Sequence, residues 1–332
     1  MDNIITIDKI SKKYTQWQRT GKVKDIVKNL FNPEKKEVNA LDNLSFNVKK
    51  GDFLAYAGAN GAGKSTTIKI LSGILQPSSG EIKVLGMNPA KDRVKLMNKV
   101  GVLFGQRTEL WWDQPIISSF EWKKDVWNIP SKIYDENLKL VTELLDLSDI
   151  IKTFARDLSL GQRMRADLAM MLLHSPEVIF LDEPTLGLDV LAKRQMIGFL
   201  KNLNRENGTT IVVTSHDMDD LEEMAQRIIL LSGGKLIFDG DFDQLRKVRD
   251  DSFHINLTFN GIAPVLSSMT YAGSHDNIHE YIVKNGNKDL RHVFAELSRL
   301  DGIQDVEIQK APIEQVIANL YIELKENGRV MN

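Results

Sequence analysis

"GANGAGKST", Gly58 to Thr66, is the stretch on which the fold turns. It fits the pattern G-x-x-x-x-G-K-[ST] through Gly58, Gly63, Lys64 and Ser65. Glycines let the backbone curl so that successive N–H groups face inward around phosphate oxygens. A helix beginning at once directs its positive end at the same anion. Lys64 sets a cation against the β- and γ-phosphates, and the Ser65 hydroxyl can ligate Mg²⁺. The flanks agree with this reading. "FLAYAGA" is an apolar strand leading in, and a helical stretch leads out. Gly58, Asn60, Gly61, Gly63, Lys64, Ser65 and Thr66 are therefore the candidate nucleotide-binding residues, in an α/β fold.

Two more apolar strands end in chemistry. "EVIFLDEP" closes on Asp182 and Glu183. Side chains alternate along a strand, so these neighbours take different tasks. Asp182 is the natural outer partner of Mg²⁺ alongside Ser65. Glu183 then projects towards an attacking water, which a carboxylate can orient or deprotonate. "TTIVVTSHD" places His216 at a third strand end. A histidine there serves as a helix cap, as a satisfied core group, or as a contact to the γ-phosphate. Parallel strands present their carboxyl ends on one edge, where ligands bind, so three strand ends carrying Lys64, Asp182/Glu183 and His216 favour the last.

The remaining chain frames this centre. Residues 3–9 alternate as a half-exposed strand, and "LSFNVKKGDF" reads as a strand interrupted by a hairpin-like Lys-Lys-Gly turn. Residues 92–173 are mostly helical in pattern. Helices follow at about 190–206 and 218–226, and "RIILLSGGKLIFDG" reads as a hairpin. Near residue 248 the organisation changes to a small α+β domain. There Phe253, Ile255, Leu257 and Phe259 share one strand face, and Ile313, Val316, Ile317, Leu320 and Tyr321 mark a last amphipathic helix. This part shows no catalytic cluster. The expected domains are 1–247, with a helical subdomain at about 107–172 and a basic insertion at about 15–38, and 248–332.

Composition narrows the function. The 332 residues carry 43 Lys and Arg against 45 Asp and Glu, without the cationic excess that a nucleic-acid partner requires. Cysteine is absent, which rules out disulfides and thiolate chemistry and fits a reducing cytoplasm. "MDNIITIDKI" is not a secretory signal, and no run approaches the roughly 18 apolar residues of a membrane span. A membrane would be met through a surface or a partner. Residues 11–38 hold eight Lys and Arg but three Asp and Glu. Within them "KVKDIVKNLF" has the spacing of a basic amphipathic helix, either packed on its own domain or facing lipid headgroups or a membrane partner.

The set resembles the nucleotide-binding subunit of an ATP-binding cassette (ABC) transporter, over residues 1 to about 245. "LSLGQ", Leu158 to Gln162, is similar to the family's signature Leu-Ser-Gly-Gly-Gln, with Leu160 in place of glycine and Ser159, Gly161 and Gln162 retained. The resemblance implies a P-loop NTPase fold with a RecA-like core, an antiparallel β subdomain and a helical signature subdomain. It implies ATP and Mg²⁺ as ligands, and a second cassette whose signature closes over the γ-phosphate in trans. It assigns Gln106 to Mg²⁺ and the attacking water, and Asp189 to a loop crossing the dimer interface. Tyr14 would stack on adenine, against the plainer alternative of packing. Hydrolysis would rest on Glu183, His216 and Gln106, and metal binding on Ser65, Gln106 and Asp182.

Four of the five tryptophans, Trp111, Trp112, Trp122 and Trp127, follow Gln106 closely. The resemblance makes "ELWWDQPIISSFEW" the wall of a groove that receives a cytoplasmic helix of a permease, and core packing is the competing reading. "FGQRTELWWDQP" and "VEIQKAPIEQVIANLY" resemble export-type cassettes serving ABC-2 permeases, including drug exporters of the daunorubicin-resistance type. The basic insertion is similar to that of capsule and teichoic-acid exporters, so drug, lipid and glycan cargoes are all implied. The expected location is the cytoplasmic face of the membrane, held there by the permease. The competing functions are a soluble cassette ATPase acting on ribosomes or DNA, and a regulatory subunit that binds ATP without hydrolysing it.

Overall fold

The computed structural model describes residues 2–17, 35–105, 107–249, 252–259, 261, 263–283 and 290–326. The proposed basic helix of "KVKDIVKNLF" lies outside them. The chain divides into two units, the first ending at Asp239 and the second beginning at Gly240.

The first unit holds two sheets. Strands β1 (Asn3–Trp17), β2 (Lys35–Lys49) and β4 (Ser79–Val84) form an antiparallel sheet in the order β2-β1-β4. The ribbon of β1 and β2 runs from Asn3 opposite Lys49 out to Trp17 opposite Lys35, through several register shifts. The described ends of the expected basic insertion, 15–17 and 35–38, are thus strand. The irregular register breaks the simple alternation that marks a strand in sequence, which is why β1 was legible only over residues 3–9.

The second sheet has six strands in the order β5-β6-β7-β3-β8-β9. Here β3 is Phe53–Gly58, β5 Val100–Phe104, β6 Val178–Asp182, β7 Thr210–Thr214, β8 Arg227–Ser232 and β9 Lys235–Gly240. The pairings β5-β6, β6-β7, β7-β3 and β3-β8 are all parallel. Strands β3 and β7 are buried along their whole length, as both-sides-covered parallel strands are. One expectation is corrected here. The Lys50–Gly51 turn joins no hairpin, because β2 and β3 belong to different sheets. The stretch 92–173 is mostly helical, as expected, but "VGVLF" within it forms β5 at the sheet edge. A short apolar run of this kind has the same signal in a buried strand and a buried helix.

Helices α1 (Lys64–Leu71) and α2 (Arg93–Met97) precede β5. Three more, α3 (Ile116–Val126), α4 (Ser131–Leu144) and α5 (Leu160–Leu172), follow it. Helices α6 (Val190–Asn207) and α7 (Met218–Met224) connect β6 to β7 and β7 to β8. Helix α6 starts at Asp189, whose carboxylate accepts the Ala192 N–H at 2.9 Å, and stops at Gly208 with φ of 64°. These are the ordinary start and stop devices of a helix.

The second unit is an antiparallel sheet in the order β11-β12-β10-β13, from β10 (Phe253–Phe259), β11 (Thr270–His275), β12 (Ile278–Val283) and β13 (Ile303–Lys310). Helices α8 (Phe242–Arg249), α9 (Leu290–Leu297) and α10 (Ile313–Glu326) complete it, with α8 packed on α10. The expected boundary at 247/248 falls within α8. Ile255, Leu257, Tyr281, Val283 and Val293 form its core. The other face of β10 is covered at one point too, where buried His254 sets Nδ1 2.7 Å from Glu280 Oε1.

Candidate functional site

The phosphate loop lies between β3 and α1. Gly63 has φ of 108°, and a Cβ on it would meet Ala40 O at 2.6 Å. At Gly58 an added Cβ would stand 2.6 Å from Leu231 O. Both positions demand glycine by close approach of backbone. Gly61 differs, for it has φ of 79° and nothing within 4 Å of an added Cβ. The curl therefore presents open space on one side, as a loop that wraps an anion must. Asn60 and Gly61 are exposed there, and Thr66 is half-buried in the first turn of α1.

Lys64 is 6% exposed, and its ammonium donates to Gly58 O at 2.7 Å and Ala59 O at 3.3 Å. Burial pushes Lys64 below the ordinary lysine range, while the Glu183 and Asp182 carboxylates push it back up. A cation held on the loop's own carbonyls and flanked by two acids is a poised partner for phosphate.

The end of β6 supplies the acids. Asp182 Oδ1 accepts the Thr214 hydroxyl at 2.7 Å and the Ser65 hydroxyl at 3.2 Å. Ser65 and Asp182 thus offer two hard oxygen atoms side by side, which fits a small divalent cation such as Mg²⁺. Thr214 also accepts the Glu183 N–H, at 3.1 Å through its hydroxyl, and Gly105 N–H donates to Asp182 O at 2.8 Å. Glu183 itself has φ of 60°, the left-handed region that a non-glycine residue enters at a cost. Its Oε1 lies 2.7 Å from His216 Nε2. A cavity of about 290 Å³ opens beside this cluster, lined by Ser65, Lys69, Gly105, Arg107, Asp182 and Glu183 among others.

The structure thus pairs Ser65 with Asp182 and Glu183 with His216 in direct hydrogen-bond reach, with Lys64 near both acids. Gln106 lies outside the described residues. Tyr14 sits in β1 opposite Val38, 36% exposed, with Lys12 Nζ 5.4 Å from its ring centre. Ser159 caps α5 in a reciprocal pair. Its hydroxyl accepts Gln162 N–H at 3.2 Å, and the Gln162 side-chain oxygen accepts Ser159 N–H at 2.9 Å. Gly161 lies close to α6, since a Cβ there would stand 3.4 Å from Ala192 Cβ. Leu160 is 37% exposed and lies over Gly187, where an added Cβ would be 2.8 Å from Leu160 Cδ2. The bulk at the departing signature position is thus taken up by a glycine in the loop before Asp189. Thr214 and Gly105 were missed in sequence. Thr214 carried one usable signal, its place on the last turn of an apolar strand before Ser-His.

The tryptophans divide. Trp127 is tied inward, with its indole N–H donating to Met97 O at 3.3 Å and Lys123 Nζ 3.8 Å from its ring centre. Trp111 and Trp112 are 43% and 51% exposed. Trp111 leans on Trp122 with ring centres 5.6 Å apart, and Arg163 of α5 lies over Trp112 at 6.0 Å. Phe154, 38% exposed, belongs to the same surface, since its strand-like bridge with Pro115 joins the two segments. The segment between Arg107 and these rings is fixed to the helices. Thr108 hydroxyl and Glu109 N–H both donate to Asp167 Oδ1, at 2.8 and 3.0 Å, and Trp111 N–H donates to Ser119 Oγ at 2.9 Å.

Comparison with known proteins agrees with this geometry. Residues 41–186 match the family described as ABC transporter. The chain is 34% identical over 66% of its length to an uncharacterised ABC transporter ATP-binding protein, YhcH, of Bacillus subtilis, covering 68% of that protein. It is 29% identical over 87% of its length to the bacitracin transport ATP-binding protein BcrA of Bacillus licheniformis, covering 89% of it. Among solved structures, it is similar to a dimeric post-hydrolysis ATP-binding cassette bound to ADP and Pi. That match has 25% identity and a TM-score of 0.58, over 71% of this chain and 98% of the other. With the P-loop, the paired acids and the signature helix in one α/β cassette, this chain is an ATP-hydrolysing member of the ABC transporter ATP-binding proteins.

Proposed function

We propose that this chain is the ATPase subunit of an ABC-2-type membrane exporter and drives it by ATP-dependent closure of two cassettes. The observation that carries the transport half is the exposed Trp111, Trp112 and Phe154 surface. Large apolar patches on a protein surface mark interaction sites, and aromatic anchors concentrate binding energy. The likeness to a bacitracin transport protein over most of both chains supports the same reading. No described helix is long and apolar enough to cross a membrane; in this reading the permease is the partner that receives the tryptophan surface, and the cassette sits on the membrane's cytoplasmic face.

The hydrolytic half rests on the cluster at the strand ends. Lys64 and the loop N–H groups hold the β- and γ-phosphates. Ser65 and Asp182, with Gln106, would hold Mg²⁺, which supplies neutralisation of the charge on the phosphate oxygens. Glu183 orients the attacking water and takes its proton as the new oxygen–phosphorus bond forms and the bond from the γ-phosphorus to the departing ADP oxygen breaks. His216, hydrogen-bonded to Glu183, keeps that carboxylate aimed and meets the γ-phosphate. Ser159 and its helix start would complete the site of a second cassette, and Asp189 would line the shared interface. Tyr14 would carry the adenine. Catalysis of this kind is mostly positioning and electrostatics.

The test is affinity purification of the tagged chain from gently solubilised membranes, with mass spectrometry of what accompanies it. A stoichiometric polytopic membrane protein is expected. Ribosomal or DNA-repair proteins in its place would overturn the transport reading.

A further inference from the structure

Behind Glu183 and His216 stands a cation that the sequence motifs do not assign. Lys193 lies on the first turn of α6, and its N–H donates to Asp189 O at 2.9 Å. Its ammonium reaches the other side of the site, 2.6 Å from Asp217 Oδ2 and 3.0 Å from Asp220 Oδ1. Asp217 directly follows His216. Its second oxygen accepts the Asp220 N–H at 3.1 Å and so caps α7, while its own N–H donates to Ser215 Oγ at 3.1 Å. The segment Ser215–Asp217 is therefore pinned on both sides of the histidine, and the pin ends on Lys193.

Asp220 is 5% exposed, and its Oδ2 has no hydrogen-bond partner. A buried carboxylate in that state needs a countercharge, and Lys193 supplies it. A small cavity of about 160 Å³ separates the parts, lined by Glu183, Gly187, Leu188, Lys193, His216 and Asp220 among others. Because space is left there, packing alone does not fix the distance between the two loops. The ion network spans it.

We propose that Lys193 is a positioning residue for hydrolysis, holding the His216 segment at the distance where the imidazole meets Glu183. It acts through Asp217 and His216 and touches no nucleotide. It also joins the helix begun by Asp189 to the histidine, so a shift of that helix start on cassette closure is felt at Glu183. This inference rests on the catalytic reading of Glu183 and His216 given above.

The test is a double-mutant cycle in single-turnover ATP hydrolysis by the full chain. Lys193→Met is expected to lower the rate about tenfold, as displacements of an ångström or less do, with KM for ATP moving less than about twofold. Lys193→Arg is expected to restore most of the loss. In a His216→Ala background, Lys193→Met is expected to add nothing, because its route is already cut. An unchanged rate in Lys193→Met, or the same fold loss in both backgrounds, would overturn the proposal. Should Lys193→Met not fold, Asp217→Asn keeps the cap acceptor, weakens the ion pair and carries the same expectations. Glu183→Gln is run alongside. Full turnover in that variant would defeat the catalytic reading itself, whereas a dead Glu183→Gln beside an unaffected Lys193→Met would defeat only the inference about Lys193.

Discussion

The two ends of the cassette treat their side chains in opposite ways. At the strand ends, Lys64, Ser65, Asp182, Thr214, Glu183 and His216 are bonded to one another or to the loop. At the helical end, Trp111, Trp112 and Phe154 stand in the open. The first arrangement is held in place before anything arrives, which is the preorganisation that electrostatic catalysis requires. The second carries unspent apolar area, which only another surface can cover. On the function proposed above, chemistry lies at one end and coupling at the other, with the Thr108–Trp111 segment and α5 between them.

Substitution at the strand ends is expected to give the largest effect. Glu183→Gln should bind ATP normally yet turn over at least about 100-fold more slowly, since general acid–base groups contribute on this scale. Stopped-flow phosphate release alongside nucleotide-binding titration checks it, and a turnover within a few fold of wild type would remove Glu183 from the role. At the open end, Trp111→Ala should leave ATP binding and the melting temperature unaltered. Its affinity for the membrane partner should fall by about tenfold or more, as loss of an interface anchor does. A cassette that unfolds on this change would instead place Trp111 in a core and erase the contrast between the two ends.

The smallest effect is expected between the ends. Burial lifts the Asp167 carboxyl from 3.8 to about 6, despite the donors from Thr108 and Glu109 that oppose the rise. A carboxyl with a raised folded pKa lends stability that is fully present below its unfolded value and is lost as pH rises through the folded one. Asp167 should therefore tilt thermal stability downward between about pH 4 and pH 6. Asp167→Asn, which keeps an acceptor for both donors, should flatten that slope relative to wild type in melting curves taken across the range. Parallel slopes in the two proteins would show that the carboxyl titrates where ordinary carboxyls do.

Much of the site was legible because its chemistry is written in contiguous runs. Gly58–Ser65 needs its residues adjacent so that backbone N–H groups can converge, and Asp182–Glu183 splits its tasks where the strand ends and Glu183 turns to positive φ. What escaped was whatever depends on distant partners. Lys193 has no motif, and its meaning arises only when α6 lies beside α7. Thr214 matters because β7 pairs with β6, opposite Asp182. Strand β5 was lost within a helical stretch because five apolar residues carry no period. In the second unit, β11 went unseen because "TYAGSH" is largely exposed and a strand with two wet faces has no alternation to read.

The backbone of Glu183, with its positive φ, carries a further consequence. A left-handed conformation costs a glutamate of order 1–3 kcal/mol, a cost that glycine would escape. On the catalytic reading proposed above, folding and turnover therefore make opposite demands on this one position. The cassette then keeps at the centre of its chemistry a side chain that its own fold would readily give up, and stability elsewhere offsets the cost.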